Sequence, residues 1–140
     1  MITLVFVRTP SLFGAAIRAA TWSRWNHVAF EVAGRWLSAT LDAGVSVQRP
    51  DPSALAARFR APVPAAAIRA ALQQLGKPYD LAGVLGVGLH RDWRDPGAWF
   101  CSELVAWACE TAGAPLLRAD RLGRITPGQL AMSPLLEPAP

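Results

Sequence analysis

Period-two patterning dominates the first third of the chain, and helical spacing takes over after residue 64. Residues 2–7, Ile-Thr-Leu-Val-Phe-Val, are rich in β-branched and aromatic side chains and predict a buried strand that Thr9-Pro10 ends. Ser11 is placed to cap a helix over residues 12–20. From residue 26 to residue 32 the chain alternates, with Val28, Phe30 and Val32 on one face and His27, Ala29 and Glu31 on the other. Ala33-Gly34 signals a turn, so residues 35–41 fold back as a hairpin arm with Leu37, Ala39 and Leu41 on its apolar face. After Asp42-Ala43-Gly44, residues 45–49 give a third adjacent strand, and Pro50, Asp51 and Pro52 break the sheet.

Pro64 suits a first helical position, and Ile68, Ala71, Leu72 and Leu75 recur on one face up to the stop at Gly76. Residues 76–80 form a tight connector, the Gly-rich apolar residues 81–89 predict a further helix, and residues 90–98 a polar loop. Cys101 opens another helix over residues 102–111, with Leu104, Val105 and Ala108 on one face and Gly113 and Pro115 as stops. Residues 126–130, Thr-Pro-Gly-Gln-Leu, predict a short capped turn of helix. The elements together predict an α+β fold, a small antiparallel sheet packed against segregated helices. With 140 residues, 52% of them apolar, one domain over residues 1–140 is expected.

Charge changes this picture little. The net charge of +4 comes from scattered arginines, Lys77 being the single lysine. Arg58, Arg60 and Arg69, and likewise Arg118, Arg121 and Arg124, lie close in sequence without interleaved stacking aromatics, so they read as solvated surface and no specific nucleic-acid partner is expected. Attraction to anionic polymers or lipid surfaces through net charge alone stays open. The apolar start lacks a preceding basic segment and ends too early for a signal-peptide core. The longest uncharged apolar stretch, residues 81–89, is far shorter than the ~20 residues of a membrane span. The expectation is a soluble protein, cytoplasmic or released without a signal peptide.

Cys101 and Cys109 are the two cysteines. Eight residues apart on one helix, their α-carbons stand ~12 Å apart, beyond the ~7 Å reach of a disulfide. Neither a CxxC pair nor a His/Cys cluster occurs, so a structural zinc site has no support in the sequence. At the first turn of a helix, backbone N–H dipoles favour the thiolate of Cys101; the competing reading is a buried inert thiol, which is the reading for Cys109. An activated thiol needs an imidazole, and His27, beside the small Ala29, is better placed than His90 in its charged loop. A two-residue turn at Ala33-Gly34 sets Ala29 opposite Ser38 and His27 opposite Thr40, with Ser38 diagonal to His27. Ser38 and Thr40 are therefore the candidates to orient the ring.

Three segments, Trp25-Asn26-His27-Val28-Ala29-Phe30, Gly76-Lys77-Pro78-Tyr79-Asp80 and Trp99-Phe100-Cys101-Ser102-Glu103-Leu104-Val105, resemble the circularly permuted branch of the NlpC-like papain-fold cysteine peptidases. That branch includes bacterial hydrolases and the lecithin retinol acyltransferase group. In the usual order of the superfamily the cysteine helix precedes the histidine strand; here the histidine strand comes first. The resemblance implies a papain-like fold with Cys101 as nucleophile, His27 as base and Tyr79 helping to hold the oxyanion. Aligning Leu37-Ser38-Ala39 with the family's third strand implies Ser38 as the third polar residue. Serine departs from the His, Glu, Asn or Gln usual there, which bears on rate rather than fold.

The resemblance further implies a peptidase or amidase acting on cell-wall peptides or related amides, of bacterial or phage origin, without metal or cofactor. One alternative is a lipid or thioester acyl hydrolase or acyltransferase, for which the six tryptophans would line an acyl groove. Another is a catalytically weak binding or phage-particle domain, suggested by Ser38. The hydrolase reading requires the Cys101 sulfur to face the His27 imidazole and to reach an opening.

Overall fold

In the computed structural model, which describes residues 1–88, 97–118 and 124–140, the chain up to Ala61 builds nearly all of one antiparallel sheet. Its strands are β1 (Ile2–Arg8), β2 (His27–Val32), β3 (Arg35–Thr40), β4 (Gly44–Gln48), β5 (Leu55–Ala61) and β6 (Glu137–Pro138), in the spatial order β4-β3-β2-β1-β5-β6. The helices are α1 (Leu12–Thr21), α2 (Ala66–Leu72), α3 (Leu81–Gly88), α4 (Cys101–Thr111) and α5 (Pro127–Ala131). The α+β class and the antiparallel sheet are both present. His90, most of its predicted loop, and Arg121 lie outside the described residues. Among the described residues no helix is long and apolar enough to cross a membrane.

Local chemistry accounts for the turns and caps. Val32 pairs with Arg35, leaving Ala33 (φ 49°) and Gly34 (φ 73°) as a two-residue turn with both residues left-handed, the twist that suits a hairpin. The Ser11 hydroxyl accepts from the Gly14 N–H and starts α1, and Thr126 with Gln129 forms a reciprocal capping box on α5. On the core face of the sheet, Leu4, Phe6, Val28, Phe30, Leu37, Ala39 and Val45 pack with Leu104, Val105 and Ala108 of α4 and with Ala67 and Ala71 of α2. α4 lies across β2 and β3, and α2 packs on α4. Each fully buried large aliphatic or aromatic side chain contributes about 1.5–3 kcal/mol here. Val5, Val7 and Ala29, on the other face, are buried as well.

Three expectations need correction. β3 ends at Thr40, so Leu41 falls in the following turn and is 49% exposed rather than part of an apolar face. α2 stops at Leu72, and Leu75, also 49% exposed, lies in a run of tight turns. There the chain bends back to pair with β4: the Gly76 N–H donates to the Val45 carbonyl at 2.9 Å and the Val45 N–H to the Lys77 carbonyl at 2.8 Å. β5 was not predicted, because Leu-Ala-Ala-Arg-Phe-Arg-Ala is built mostly from helix formers. It pairs with β1 along its whole length, from Ile2–Ala61 to Arg8–Leu55, so tertiary pairing overrides local propensity.

The β4 junction depends on Gly44. Its φ is +62°, and a Cβ there would collide with the Lys77 carbonyl that Val45 bonds. Gly44→Ala is expected to cost about 2 kcal/mol or more, read as a lower urea midpoint. Gly34→Asn, at φ +73° with no neighbouring atom, should cost a few tenths of that, since asparagine tolerates the left-handed region.

Candidate active site

The start of β2 is held by a polar knot. Asn26, buried, accepts from the Thr9 N–H at 2.9 Å and from Arg18 Nη1 at 3.1 Å through Oδ1, and donates to Thr9 Oγ1 at 3.0 Å. β1, α1 and β2 are thereby tied together one residue before His27. His27 is the first residue of β2, opposite Val7, and is half-buried. Its Nε2 lies 2.9 Å from Ser38 Oγ, the diagonal contact that the hairpin register sets up. Thr40 instead accepts from Gln48 Nε2 at 3.4 Å, so Ser38 is the hydroxyl that holds the ring. Across β3 and β4, Ser46 pairs with Ser38, and its buried hydroxyl has no hydrogen-bond partner.

Cys101 is the first residue of α4. The cap residue Phe100 is extended (φ −89°, ψ 146°) and supplies no side-chain acceptor, which leaves the first-turn N–H groups to the thiol. Hydrogen bonds from the backbone N–H groups of Val28, Ser102 and Cys101 itself favour the thiolate. Val28 follows His27 directly, so the sulfur sits against the strand that carries the imidazole. Tyr79 is brought in by a short parallel bridge to Trp99: the Trp99 N–H donates to the Pro78 carbonyl at 2.9 Å and the Asp80 N–H to the Trp99 carbonyl at 3.0 Å. Its ring meets Phe100 and Phe13 edge-on, at centroid distances of 6.0 and 6.3 Å.

Behind Tyr79 lies a buried charge cluster. Asp80 Oδ1 accepts from the Gly83 N–H at 2.7 Å, while Arg124 reaches Asp80 Oδ2 at 3.3 Å and Glu103 Oε1 at 2.9 Å. Arg124, grouped in the sequence with surface arginines, is only 11% exposed in its side chain; it clamps the Tyr79–Asp80 segment to α4. Sequence reasoning missed Asn26, Asp80, Glu103 and Arg124. Asn26, Asp80 and Glu103 lie inside the three quoted segments without a role assigned to them, and nothing in the pattern pairs Asp80 with an arginine 44 positions away.

A cleft of about 210 Å³ opens beside His27 and Tyr79, with Phe13, Trp36, Thr40 and Asp51 among its walls. Cys101 itself is 1% exposed. Burial pushes its thiol up to about 12, with Glu103 adding to the rise, against the backbone N–H groups. Desolvation likewise pulls His27 down to about 4. The expectation that the helix start would favour the thiolate is therefore corrected: burial outweighs the dipoles, and the resting pair is a neutral thiol and a neutral imidazole. The Tyr79 phenol is pushed up by burial, then by Cys101 and Asp80, and stays a proton donor. Cys109 is buried in the core and also pushed up to about 12. Both thiols are free.

Neither a family model nor a curated protein matches the chain. Among solved structures it is similar to the crystal structure of the metalloprotein yiiX from Escherichia coli O157:H7, a DUF1105 protein, at 17% identity, 99% of this chain, 95% of that chain and a TM-score of 0.75. At that identity the likeness to yiiX shows the fold alone. Among the described residues no group of three or more His, Cys, Asp or Glu side chains could hold a metal ion.

The two shifts bracket stability in pH. His27 gains its proton near 6.5 when unfolded but near 4 when folded, so the unfolded state binds more protons in that window and stability falls as pH drops through it. The cysteines ionise near 9 unfolded and near 12 folded, so stability falls as pH rises through that interval. The thermal midpoint is expected to be flat from about pH 6.5 to 9, with an acid arm worth at most about 3 kcal/mol. His27→Gln should flatten the acid arm and Cys109→Ala should shallow the alkaline one. A midpoint that climbs between pH 6 and 4 would contradict this.

Proposed function

We propose that the chain is a cysteine hydrolase, a single thiol-hydrolase domain of the permuted NlpC-like papain kind. It would cleave an amide bond such as those of cell-wall peptides. The observation that supports this most is the seating of Cys101, at a helix start, on the backbone beside an imidazole that Ser38 holds at 2.9 Å.

The substrate carbonyl comes in through the cleft between His27 and Tyr79. As the sulfur attacks, the Cys101 proton passes to the imidazole while Nε2 keeps its contact with Ser38. The tetrahedral oxyanion takes hydrogen bonds from the Tyr79 O–H and the first-turn N–H groups of α4. The imidazolium then protonates the leaving amine, and the acyl-thioester is hydrolysed by a water that gives its proton to His27, releasing the Cys101 thiol.

A second reading, a catalytically weak binding domain, draws on the 1% exposure of Cys101 and its raised thiol. Labelling at pH 7 with a substrate-shaped electrophile, a peptidyl acyloxymethyl ketone, followed by peptide mass spectrometry, separates the two. An enzyme labels Cys101 well ahead of Cys109, because the bound probe supplies the developing oxyanion, and His27→Ala lowers the Cys101 rate about 100-fold. Equal, slow labelling of both cysteines sinks the hydrolase reading.

Ser38 provides an independent check against peptide and acyl-ester substrates. Ser38→Ala is expected to slow turnover about tenfold, with KM little changed, because the ring loses its orientation. Ser38→Asn, which keeps a hydrogen-bonding group, should recover most of the rate. The apolar walls at Phe13, Ile17, Trp36 and Leu41 make the ester arm a direct comparison between the amide and acyl alternatives.

A further inference from the structure

Helix α1 is apolar on two sides. Phe13, Gly14 and Ile17 turn toward the cleft, whereas Leu12, Ala15, Ala16, Ala19 and the cap residue Trp22 are exposed, Leu12 at 92% and Trp22 at 94%. These five recur at three- and four-residue spacing and so share a face. α3 packs beside α1 and adds Leu81 and Leu85, 41% and 55% exposed. Single exposed apolar residues are ordinary on a protein surface; a continuous stripe ending in a bare tryptophan is not.

Trp22 supplies a second, independent observation. It closes α1 in the left-handed region, at φ 51° and ψ 35°, with its N–H on the Arg18 carbonyl. Glycine or asparagine adopts that conformation at least cost. The fold thus carries backbone strain at a residue whose indole it leaves almost wholly in solvent, a combination that folding alone does not reward.

Charge indicates what covers this face. Residues 1–30 contain Arg8, Arg18 and Arg24 and no acidic residue. Arg18 is bound to Thr9 and Asn26, but Arg8 and Arg24 are exposed, and Arg24 lies over the Trp25 ring at 5.0 Å. α3 carries no charge, and the Asp80 that precedes it is buried. A second copy of the chain docked on this face about a twofold axis near Trp22 would bring Arg24, two residues beyond it, toward its own copy. Anionic headgroups would neutralise them while the acyl boundary takes up Leu12 and the indole.

We propose that the exposed α1–α3 face, led by Leu12 and Trp22, docks on an anionic lipid surface. The association is peripheral, since no described helix can span a bilayer.

Cosedimentation of the full chain with phosphatidylcholine vesicles, with and without phosphatidylglycerol, tests it. Binding to the phosphatidylglycerol vesicles is expected to be about tenfold tighter and to weaken with salt. Trp22→Gly relieves the left-handed strain, so the melting midpoint should rise while vesicle binding falls about tenfold or more. Leu12→Ser, at an exposed position, should also weaken binding, and Arg24→Glu should remove the preference for the anionic lipid.

Absence of binding by the unaltered chain, or binding that neither Trp22→Gly nor Leu12→Ser reduces, overturns the proposal. So does a lipid-free dimer in sedimentation equilibrium that Trp22→Gly dissolves, which would make a second copy the occupant. Cys101 labelling in these variants is expected to be unchanged, so failure here is distinguishable from failure of the hydrolase reading.

Discussion

The seat of Cys101 against the start of β2 is the constraint on which the rest of the molecule turns. α4 reaches that seat because its apolar face, Leu104, Val105 and Ala108, buries against Phe30, Leu37 and the neighbouring core residues, a non-directional attraction that sets depth but not register. Register comes from hydrogen bonds: the Val28 N–H on the thiol at one end, and the 78–80 and 99 backbone bridge at the other. The two together bring His27 and Tyr79 to the wall of one cleft and seat the Cys101 sulfur on the Val28 backbone, buried and outside that wall.

Two polar clusters hold this arrangement from either side. The Asn26–Thr9–Arg18 knot fixes where β2 begins, and the Asp80–Arg124–Glu103 cluster fixes Tyr79 against α4. Buried charge is a poor source of net stability, because desolvation consumes much of the Coulombic gain. Losing one partner, however, strands the other in a dry place, so each cluster penalises any shift of the segments it joins. Gly83 shows how closely the second is packed: a Cβ there would collide with both the Asp80 carboxylate and the Arg124 guanidinium.

What could be read in advance follows from how local each determinant is. The Ala33-Gly34 turn dictated the hairpin register, and with it the Ser38 contact to His27, because two-residue turns leave little choice. Ser11 and the Thr126–Gln129 box announced their helices for the same reason. β5 was hidden, since its alanines and arginines favour helix and only the facing edge of β1 makes them a strand. The end of α2 was misread because Gly76 and Lys77 answer to β4 rather than to their own period. Arg124 looked like surface in the sequence and proved to be a clamp, a role created entirely by Asp80 and Glu103 folding around it. The thiol state escaped sequence reasoning too: a helix start is visible in a sequence, whereas the depth at which it is buried is not.

In the proposed hydrolase, that depth would work in opposite directions before and during the reaction at Cys101. At rest it keeps thiol and imidazole neutral, with the thiol up at about 12 and the ring down at about 4. Transferring the proton must then create two charges in a poorly solvated place, which is costly for either alone. Two opposite charges in so dry a place attract far more strongly than they would in water, and the backbone N–H groups of Val28, Ser102 and Cys101 favour the anionic sulfur. Ser38 is the weak member of this set: a neutral hydroxyl steadies an imidazolium less than a carboxylate would. If the chain is the hydrolase proposed above, the oxyanion developing on a bound substrate would draw on Tyr79 and the α4 N–H groups to complete that charge separation.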